Sequence, residues 1–305
     1  MFFITPSSYF SNSLNSIKIR SRFLYPKIAR FINKYLYKLG LIGAICNRYD
    51  NTITLYSATK DKKFYKKYSN KSKFLNFGSG AFNHYFWTNY DLPGQADFYK
   101  KLQGDEKIDF NALDLCSENL KLPLEENSCD LIYCSHTLEH LEEHKGKIFL
   151  KECHRILKTN GVMRLALPNT DNNFYHAKLI YNQTHIPIEI KNEAIIDCAS
   201  KVLSEIGNLS KDVVIKKVID TNFSISKFVQ EMSDEYKLSK TFIKEQPQRH
   251  ITYYSHEKML KISNDLGFKF YAPLYKGSSF AEPFKNLEVF DTTEPQWSIY
   301  GELVK

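Results

Sequence analysis

The sequence lacks several patterns that mark familiar classes of protein. Its six cysteines include no C-x-x-C pair, which argues against a zinc site or a disulfide framework and favours reduced thiols. Its longest apolar run, Leu39 to Cys46, is eight residues long, well short of the roughly 20 that a membrane-spanning helix needs. The amino terminus does not follow the basic, apolar and small-residue order of a secretory signal. We therefore expect a soluble, cytoplasmic protein.

Charge is spread unevenly along the 305 residues, although 43% hydrophobic and 25% charged residues are ordinary for a globular protein. Residues 1–73 carry 15 Lys and Arg against two Asp, a net charge of +13, whereas the remainder carries −5. The sequence thus predicts a basic arm over residues 1–70 and a mildly acidic domain over residues 71–305.

Residues 21–44 of this arm are predicted to form an amphipathic helix. Apolar side chains from Leu24 to Leu39 recur at helical spacing. The adjoining basic stripe consists of Lys27, Arg30, Lys34 and Lys38. Three roles fit this pattern: packing on the domain, which we favour, peripheral membrane contact through residues 20–45, and nucleic-acid binding, which ranks last.

From residue 71 onward, short apolar segments alternate with helical ones, as in parallel α/β proteins. A helix around Phe149–Leu157 is expected to end at Thr159–Gly161. The first five predicted strands are Lys73–Phe77, Trp87–Asp91, Phe110–Leu115, Asp130–Cys134 and Val162–Leu167.

Polar residues or glycines stand at the ends of the first four strands. They are Gly78 and Gly80, Asp91, Asp114, and the pair Ser135 and His136. Ligands of open α/β sheets bind outside the carboxyl ends of the strands, so the sequence predicts a pocket here. Two successive acids suit a nucleoside, because a carboxylate can accept both ribose hydroxyls. The third glycine of G-x-G-x-x-G is replaced by Asn83, which disfavours a pyrophosphate and a nicotinamide dehydrogenase.

Five motifs in this order resemble the class I S-adenosylmethionine-dependent methyltransferases, and more narrowly the methyltransferase-domain group of polysaccharide and small-molecule biosynthesis. They are LNFGSG (75–80), TNYD (88–91), ALDL (112–115) and the segments 122–141 and 150–169. The resemblance implies a Rossmann-like, seven-stranded, mostly parallel sheet with helices on both faces. The last strands would be Tyr271–Tyr275 and Trp297–Val304, the final one antiparallel, and residues 170–248 would form a helical lid over the acceptor.

The resemblance also implies the cofactor, S-adenosylmethionine, and its binding residues. Gly78, Ser79 and Gly80 would surround the methionine part, and Asp91 would bind the ribose hydroxyls. Asp114 and Leu115 would lie at the adenine, and Ser135 with His136 would close the pocket. The alternative for Asp91 and Asp114 is that each only caps a turn.

Three histidines are candidate catalytic residues. The N/D-P-P-Y/F motif of nucleobase amine methylation is missing after the fourth strand, so we favour an oxygen acceptor, which needs a general base. His136 and His140 are candidates for that base, and the resemblance brings His250 to the same neighbourhood. The alternatives are that His136 and His140 only pack at the start of a helix, and that His250 only anchors the chain where it returns to the sheet. We expect no metal. In the alternative, His136, Glu139 and His140 share one face of a helical turn and bind a metal ion.

The predicted function is therefore S-adenosylmethionine-dependent O-methylation of a sugar or sugar-linked small molecule in surface-glycan or related biosynthesis. One alternative is an RNA methyltransferase that binds its substrate through the basic arm. The other is a non-catalytic, membrane-docked binding protein that keeps the fold.

Overall fold

The computed structural model describes residues 62–68, 73–80, 82, 84, 86–94, 110–203, 206, 209–235, 249–287 and 289–305. The predicted helix over residues 21–44, and with it the proposed membrane contact, lies outside these residues. Within the described ranges, every helix is too short or too polar to cross a bilayer.

The described part of the chain contains seven strands and seven α-helices. The strands are β1 (Phe74–Phe77), β2 (Thr88–Asp91), β3 (Asn111–Ala112), β4 (Cys129–Ser135), β5 (Leu157–Pro168), β6 (Phe270–Leu274) and β7 (Ser298–Val304). The helices are α1 (Lys62–Tyr65), α2 (Glu143–Ile156), α3 (Thr170–Tyr181), α4 (Ile188–Val202), α5 (Lys211–Asp220), α6 (Ile225–Glu235) and α7 (His256–Asp265).

The chain forms two compact units, one of residues 1–69 and 79–113, the other of residues 70–78 and 114–305. In the first unit β2 pairs in parallel with β3, so that Asp91 stands opposite Ala112. The predicted boundary between arm and domain at residue 70 stays a prediction.

In the second unit the strands follow one another in the order β1-β4-β5-β7-β6. Strands β1, β4 and β5 run parallel, with Phe77 opposite Cys134 and Cys134 opposite Leu165. Strand β7 is antiparallel to both of its neighbours, β5 and β6. The predicted fold class, a seven-stranded, mostly parallel, Rossmann-like sheet with an antiparallel last strand, is confirmed.

The boundary between α2 and β5 differs from the prediction. The helix ends at Ile156, and Leu157 is already extended and pairs with Cys129. Both residues are fully buried, so tertiary packing draws Leu157 into the sheet one turn before the predicted stop. Asn160 takes a left-handed conformation (φ +62°), and its N–H donates to the carbonyl of Lys305 at 2.8 Å. Thr159–Gly161 thus lie inside β5 and do not terminate a helix.

The segment 170–248 contains helices α3 to α6 and a hydrophobic cluster of its own. All four helices lie in the segment that the resemblance predicts to be helical. Among the fully buried members of the cluster are Ile195, Ala199, Val218, Phe228 and Met232. Because these side chains pack on one another, the segment has its own core, as a lid would need. The lid role itself stays a prediction.

A buried ion pair fixes the segment between β6 and β7. The Arg164 guanidinium on β5 lies 2.5 Å from the Asp291 carboxylate, and both side chains are fully buried. The same guanidinium donates to the carbonyls of Tyr275 at 3.0 Å and Ser278 at 2.8 Å. The guanidinium also lies 3.6 Å from the buried Glu302 carboxylate, and its bonds connect residues 275–291 to the sheet.

Candidate active site

The turn that follows β1 accepts only glycine at its first position. Gly78 has a left-handed backbone (φ +64°), and a Cβ added there would overlap the Thr137 side chain. Thr137, which follows β4, donates through Oγ1 to the carbonyl of Ser135 at 3.1 Å. The loops after β1 and β4 therefore touch, as expected if the carboxyl ends of these strands line one site.

Asp91, the last residue of β2, accepts two backbone hydrogen bonds in the first unit. The Gly80 N–H donates to Oδ2 at 2.6 Å, and the Leu92 N–H donates to Oδ1 at 2.7 Å. The residue is 7% exposed, and burial raises the pKa of its carboxyl while the N–H donors act in the opposite direction. The Ser79 side chain also lowers the pKa of this carboxyl, so Asp91 supports the loop at residues 79 and 80.

Asp114 lies two residues after β3 and caps a turn. Its Oδ1 accepts from the Cys116 N–H at 2.9 Å, and Leu115 stands in that turn. The turn-capping alternative is therefore present in the structure, and its backbone bond fixes the direction of the carboxylate.

His136 and Glu139 form a hydrogen-bonded pair at the end of β4. His136 has a left-handed backbone (φ +49°), uncommon outside glycine, and its N–H donates to the Ala166 carbonyl at 2.8 Å. Its Nδ1 lies 3.1 Å from Glu139 Oε1, and its Nε2 lies 2.8 Å from Ser298 Oγ. The imidazole is 31% exposed, whereas the Glu139 side chain is 1% exposed. A buried carboxylate therefore orients a histidine that solvent can reach.

Three histidines set the electrostatics of Glu139. Burial by itself raises the pKa of this carboxyl, but the hydrogen bond from His136 and the proximity of His136, His140 and His250 bring it to about 2. Its Oε2 is fully buried without a hydrogen-bond partner. Glu139 is thus ionised over the physiological range, with one oxygen still able to bind.

Backbone carbonyls orient the other two histidines. Nδ1 of His140 lies 2.9 Å from the Arg249 carbonyl, and Nδ1 of His250 lies 2.8 Å from the Lys201 carbonyl. Because a carbonyl only accepts, both rings carry hydrogen on Nδ1. The rings meet edge to face, with centroids 4.9 Å apart. Burial lowers the pKa of His250.

The structure brings the three predicted catalytic histidines together around one carboxylate. Potential metal-ligand atoms of Glu139, His140 and His250 lie within 4.8 Å of one another. His250 replaces His136 in this group, because the 3₁₀ turn Leu138–His140 begins after His136. Sequence reasoning missed Ser298, whose only signal is its place at the start of the last strand.

A comparison with family models finds a methyltransferase domain over residues 78–165. The match includes every predicted cofactor-binding position, from Gly78 to Ser135, and the pair His136 and Glu139; it does not include His250. It confirms the predicted reaction class, methyl transfer from S-adenosylmethionine.

Known proteins are similar to this chain at low identity. An uncharacterized protein of Methanocaldococcus jannaschii is 28% identical over 171 residues, 51% of this chain and 71% of that protein. A methyltransferase structure from Thermotoga maritima is 12% identical, with a TM-score of 0.35 over 91% of this chain and 97% of that one. One from Mesorhizobium loti is 11% identical, with a TM-score of 0.37 over 80% of this chain and 97% of that one.

Proposed function

We propose that this protein transfers a methyl group from S-adenosylmethionine to a hydroxyl oxygen of a sugar or sugar-linked small molecule. The observation that carries the proposal is the pairing of solvent-accessible His136 with buried, ionised Glu139. Such a pair accepts a proton from a hydroxyl group, which is the step that an oxygen acceptor requires.

The residues that end the strands fit the cofactor. Gly78 lets the loop after β1 turn tightly against Thr137, and the buried Asp91 carboxylate can accept the ribose hydroxyls. S-adenosylmethionine supplies an electrophilic methyl group when bound. We assign its binding to Gly78, Ser79, Gly80, Asp91, Asp114, Leu115 and Ser135.

His136 is the general base of this proposal. With Nδ1–H donated to Glu139, Nε2 carries the lone pair and now lies 2.8 Å from Ser298 Oγ. When the Ser298 hydroxyl turns to Thr293 Oγ1, 2.7 Å away, Nε2 can accept the proton of an acceptor hydroxyl as that oxygen takes the methyl group. Glu139 stabilises the resulting imidazolium as the orienting carboxylate of a catalytic triad does. His140 and His250 complete the site on the acceptor side, beside the proposed lid over residues 170–248.

A labelled-methyl assay tests the reaction. The full-length protein is incubated with S-adenosylmethionine carrying a radioactive methyl group, together with hydroxylated sugars, sugar nucleotides and RNA in separate reactions. Base-stable label in a sugar fraction is expected, since methyl ethers resist alkaline hydrolysis. We expect His136→Gln and Glu139→Gln each to lower turnover by about 10²-fold or more with unchanged cofactor affinity. Label in protein or RNA alone, or full turnover by His136→Gln, would contradict the proposal.

RNA is the second candidate acceptor, because residues 1–73 carry a net charge of +13. Neutralisation of phosphates by such an arm makes affinity fall steeply with salt. Deletion of residues 1–70 would then abolish a salt-dependent RNA affinity, whereas it would leave methylation of a small sugar acceptor in place. Failure of a folded protein to bind S-adenosylhomocysteine would favour the non-catalytic, membrane-docked alternative.

A further inference from the structure

Trp297 is an exposed aromatic residue at the edge of the sheet where ligands bind. It immediately precedes β7, and its carbonyl accepts a hydrogen bond at 2.9 Å from the N–H of Asn169, the residue that follows β5. Its own N–H donates to the Glu294 carbonyl at 2.9 Å. Ligands of open α/β sheets bind outside the carboxyl ends of the parallel strands, and β5 ends here. The backbone thus fixes Trp297 at the edge where a substrate is expected.

Along this edge Trp297 lies on the side of the proposed base that is opposite the glycine turn. In the second unit the strands follow the order β1-β4-β5-β7, so Gly78 after β1, His136 after β4 and Trp297 before β7 succeed one another. Ser298, whose Oγ lies 2.8 Å from Nε2 of His136, is the next residue in the chain. Because we assign the methionine part of the cofactor to the turn at Gly78, an acceptor that meets the methyl group near His136 extends towards Trp297.

The indole of Trp297 has one covered face and one open face. The Lys201 ammonium, on α4, lies 4.3 Å from the centroid of the ring, a cation–π contact, and is paired with the Asp197 carboxylate at 2.5 Å. Trp297 is still 49% exposed, whereas Trp87, the other tryptophan of the chain, is 6% exposed. A large apolar ring that is held by backbone bonds and by a cation on one face is a rigid platform for a ligand on the other.

We propose that Trp297 is the stacking platform of the acceptor subsite and that the acceptor is a hexopyranose. A pyranose whose hydroxyl groups lie mostly in the plane of the ring presents C–H bonds on its faces. These weakly positive hydrogens are attracted by the negative face of an indole. A hydroxyl group at the rim of the stacked sugar can then face His136. The assignment rests on the proposed function and narrows its acceptor to a sugar ring of this shape.

The charges around the platform favour a sugar over a nucleic acid. Lys201 is paired with Asp197, and Lys276 is paired at 3.0 Å with Glu294, whose carbonyl accepts from the Trp297 N–H. Both carboxylates are more than half exposed. A stacking site for single-stranded RNA combines its aromatic side chain with a groove of positive charge that neutralises phosphates. The paired charges beside Trp297 do not form such a groove.

Sugar binding is tested by tryptophan fluorescence of the full-length protein, with and without saturating S-adenosylhomocysteine. The probes are methyl β-glucopyranoside and methyl β-galactopyranoside, and the matched control is sorbitol, an open-chain polyol without a fixed C–H face. We expect a saturable change of the emission with at least one glycoside and none with sorbitol. Trp297→Phe, in which buried Trp87 is the remaining tryptophan, should show no change.

Three outcomes of this titration would overturn the proposal. The first is the absence of a saturable change with either glycoside up to about 100 mM. The second is an equal response to sorbitol. The third is a response to cytidine and to neither glycoside, which would assign the platform to a nucleic acid.

Kinetics distinguish a platform from a structural contact. With the acceptor that the labelled-methyl assay identifies, Trp297→Ala should raise KM about tenfold and change kcat less than about twofold, since stacking is the same in ground and transition states. Trp297→Phe keeps an aromatic face and should raise KM less than about threefold. Tyr275→Ala, which removes an aromatic side chain that is 86% exposed, should change neither constant. A lower melting temperature of Trp297→Ala with unchanged KM would show that the ring only packs on Lys201.

Failure of the subsite and failure of the reaction give different results. A protein that binds a glycoside at Trp297 but does not bind S-adenosylhomocysteine would support the subsite and refute the methyl transfer. A protein that methylates its acceptor equally well as wild type and as Trp297→Ala would support the reaction and refute the subsite.

Discussion

Nε2 of His136 and Oγ of Ser298 lie 2.8 Å apart although 162 residues separate them in the chain. Ser298 begins β7 and is 2% exposed, and its hydroxyl also lies 2.7 Å from Thr293 Oγ1. Glu139 and Ser298 thus contact the two ring nitrogens of the same imidazole. Because Ser298 is part of β7, the sheet fixes the orientation of the proposed base.

Removal of the Ser298 hydroxyl should loosen that imidazole. We expect Ser298→Ala to lower kcat by about tenfold, because a base must keep its geometry to act, with little change in KM or in melting temperature. Steady-state kinetics with the acceptor identified by the labelled-methyl assay measures the effect. Ser200→Ala, which removes an exposed hydroxyl bonded within α4, should change neither constant. Equal kinetics for Ser298→Ala and wild type would show that Ser298 does not position His136.

Substitution of Gly78 should harm stability and cofactor binding together. Gly78→Ala adds a Cβ to a left-handed residue and drives it into Thr137, so the cost exceeds the about 1–2 kcal/mol of the backbone conformation alone. Gly267→Ala is the matched control, since Gly267 also has a positive φ (+78°) but nothing lies within 4 Å of an added Cβ. Urea unfolding and S-adenosylhomocysteine titration of both variants check this. An equal loss of unfolding free energy in the two variants would show that the contact with Thr137 does not destabilise Gly78→Ala.

The buried and the exposed ion pairs of β5 should differ sharply in their contribution to stability. Arg164→Met leaves Asp291 and Glu302 buried without their shared cation, which is expected to cost about 3–5 kcal/mol of unfolding free energy. Lys158→Met breaks the partly exposed pair with Asp130, at 2.8 Å, and should cost less than about 1 kcal/mol. Chemical denaturation compares them. A cost below about 1 kcal/mol for Arg164→Met would mean that the buried pair does not stabilise the fold.

His84 should make the first unit sensitive to acid. The side chain is 2% exposed, and burial lowers its pKa to about 4, while its Nδ1 accepts from the Phe86 N–H at 3.2 Å. The unfolded chain, with a histidine pKa near 6.5, binds a proton between pH 6.5 and 4 that the folded chain does not. Stability should therefore fall as the pH drops through this window, by up to about 1.4 kcal/mol per pH unit.

A pair of variants isolates this contribution. Unfolding free energies at pH 7, 6 and 5 should show a shallower slope for His84→Gln than for wild type, by about one proton. His185→Gln, at an exposed histidine, should keep the wild-type slope. An unchanged slope in His84→Gln would refute the assignment.

Local patterns predicted most of the sheet, because short buried strands and the turns after them are encoded in adjacent residues. Strand β4 and the glycine turn at Gly78 follow from such signals. The grouping of His136 with Glu139 and His140 on one helical face was assumed from spacing. The structure instead places His136 before the 3₁₀ turn, with a positive φ. Its contact with Glu139 is the hydrogen bond between Nδ1 and Oε1.

Long-range partners could not be predicted in the same way. Ser298 reaches His136 only through the pairing of β7 with β5, and His250 reaches His140 after an insertion of about 80 residues. The carbonyls of Arg249 and Lys201 carry no sequence signal, since every residue has one. Their roles depend on backbone direction, which tertiary packing decides.

Cofactor binding tests the account most directly. The purified full-length protein is titrated calorimetrically with S-adenosylhomocysteine, with NAD as the control ligand, and the titration is repeated on Asp91→Asn and Asp114→Asn. We expect micromolar affinity for S-adenosylhomocysteine, none for NAD, and at least tenfold weaker binding by Asp91→Asn, whose side chain loses the charge that accepts the ribose hydroxyls. Absence of S-adenosylhomocysteine binding by the folded wild-type protein would contradict the account.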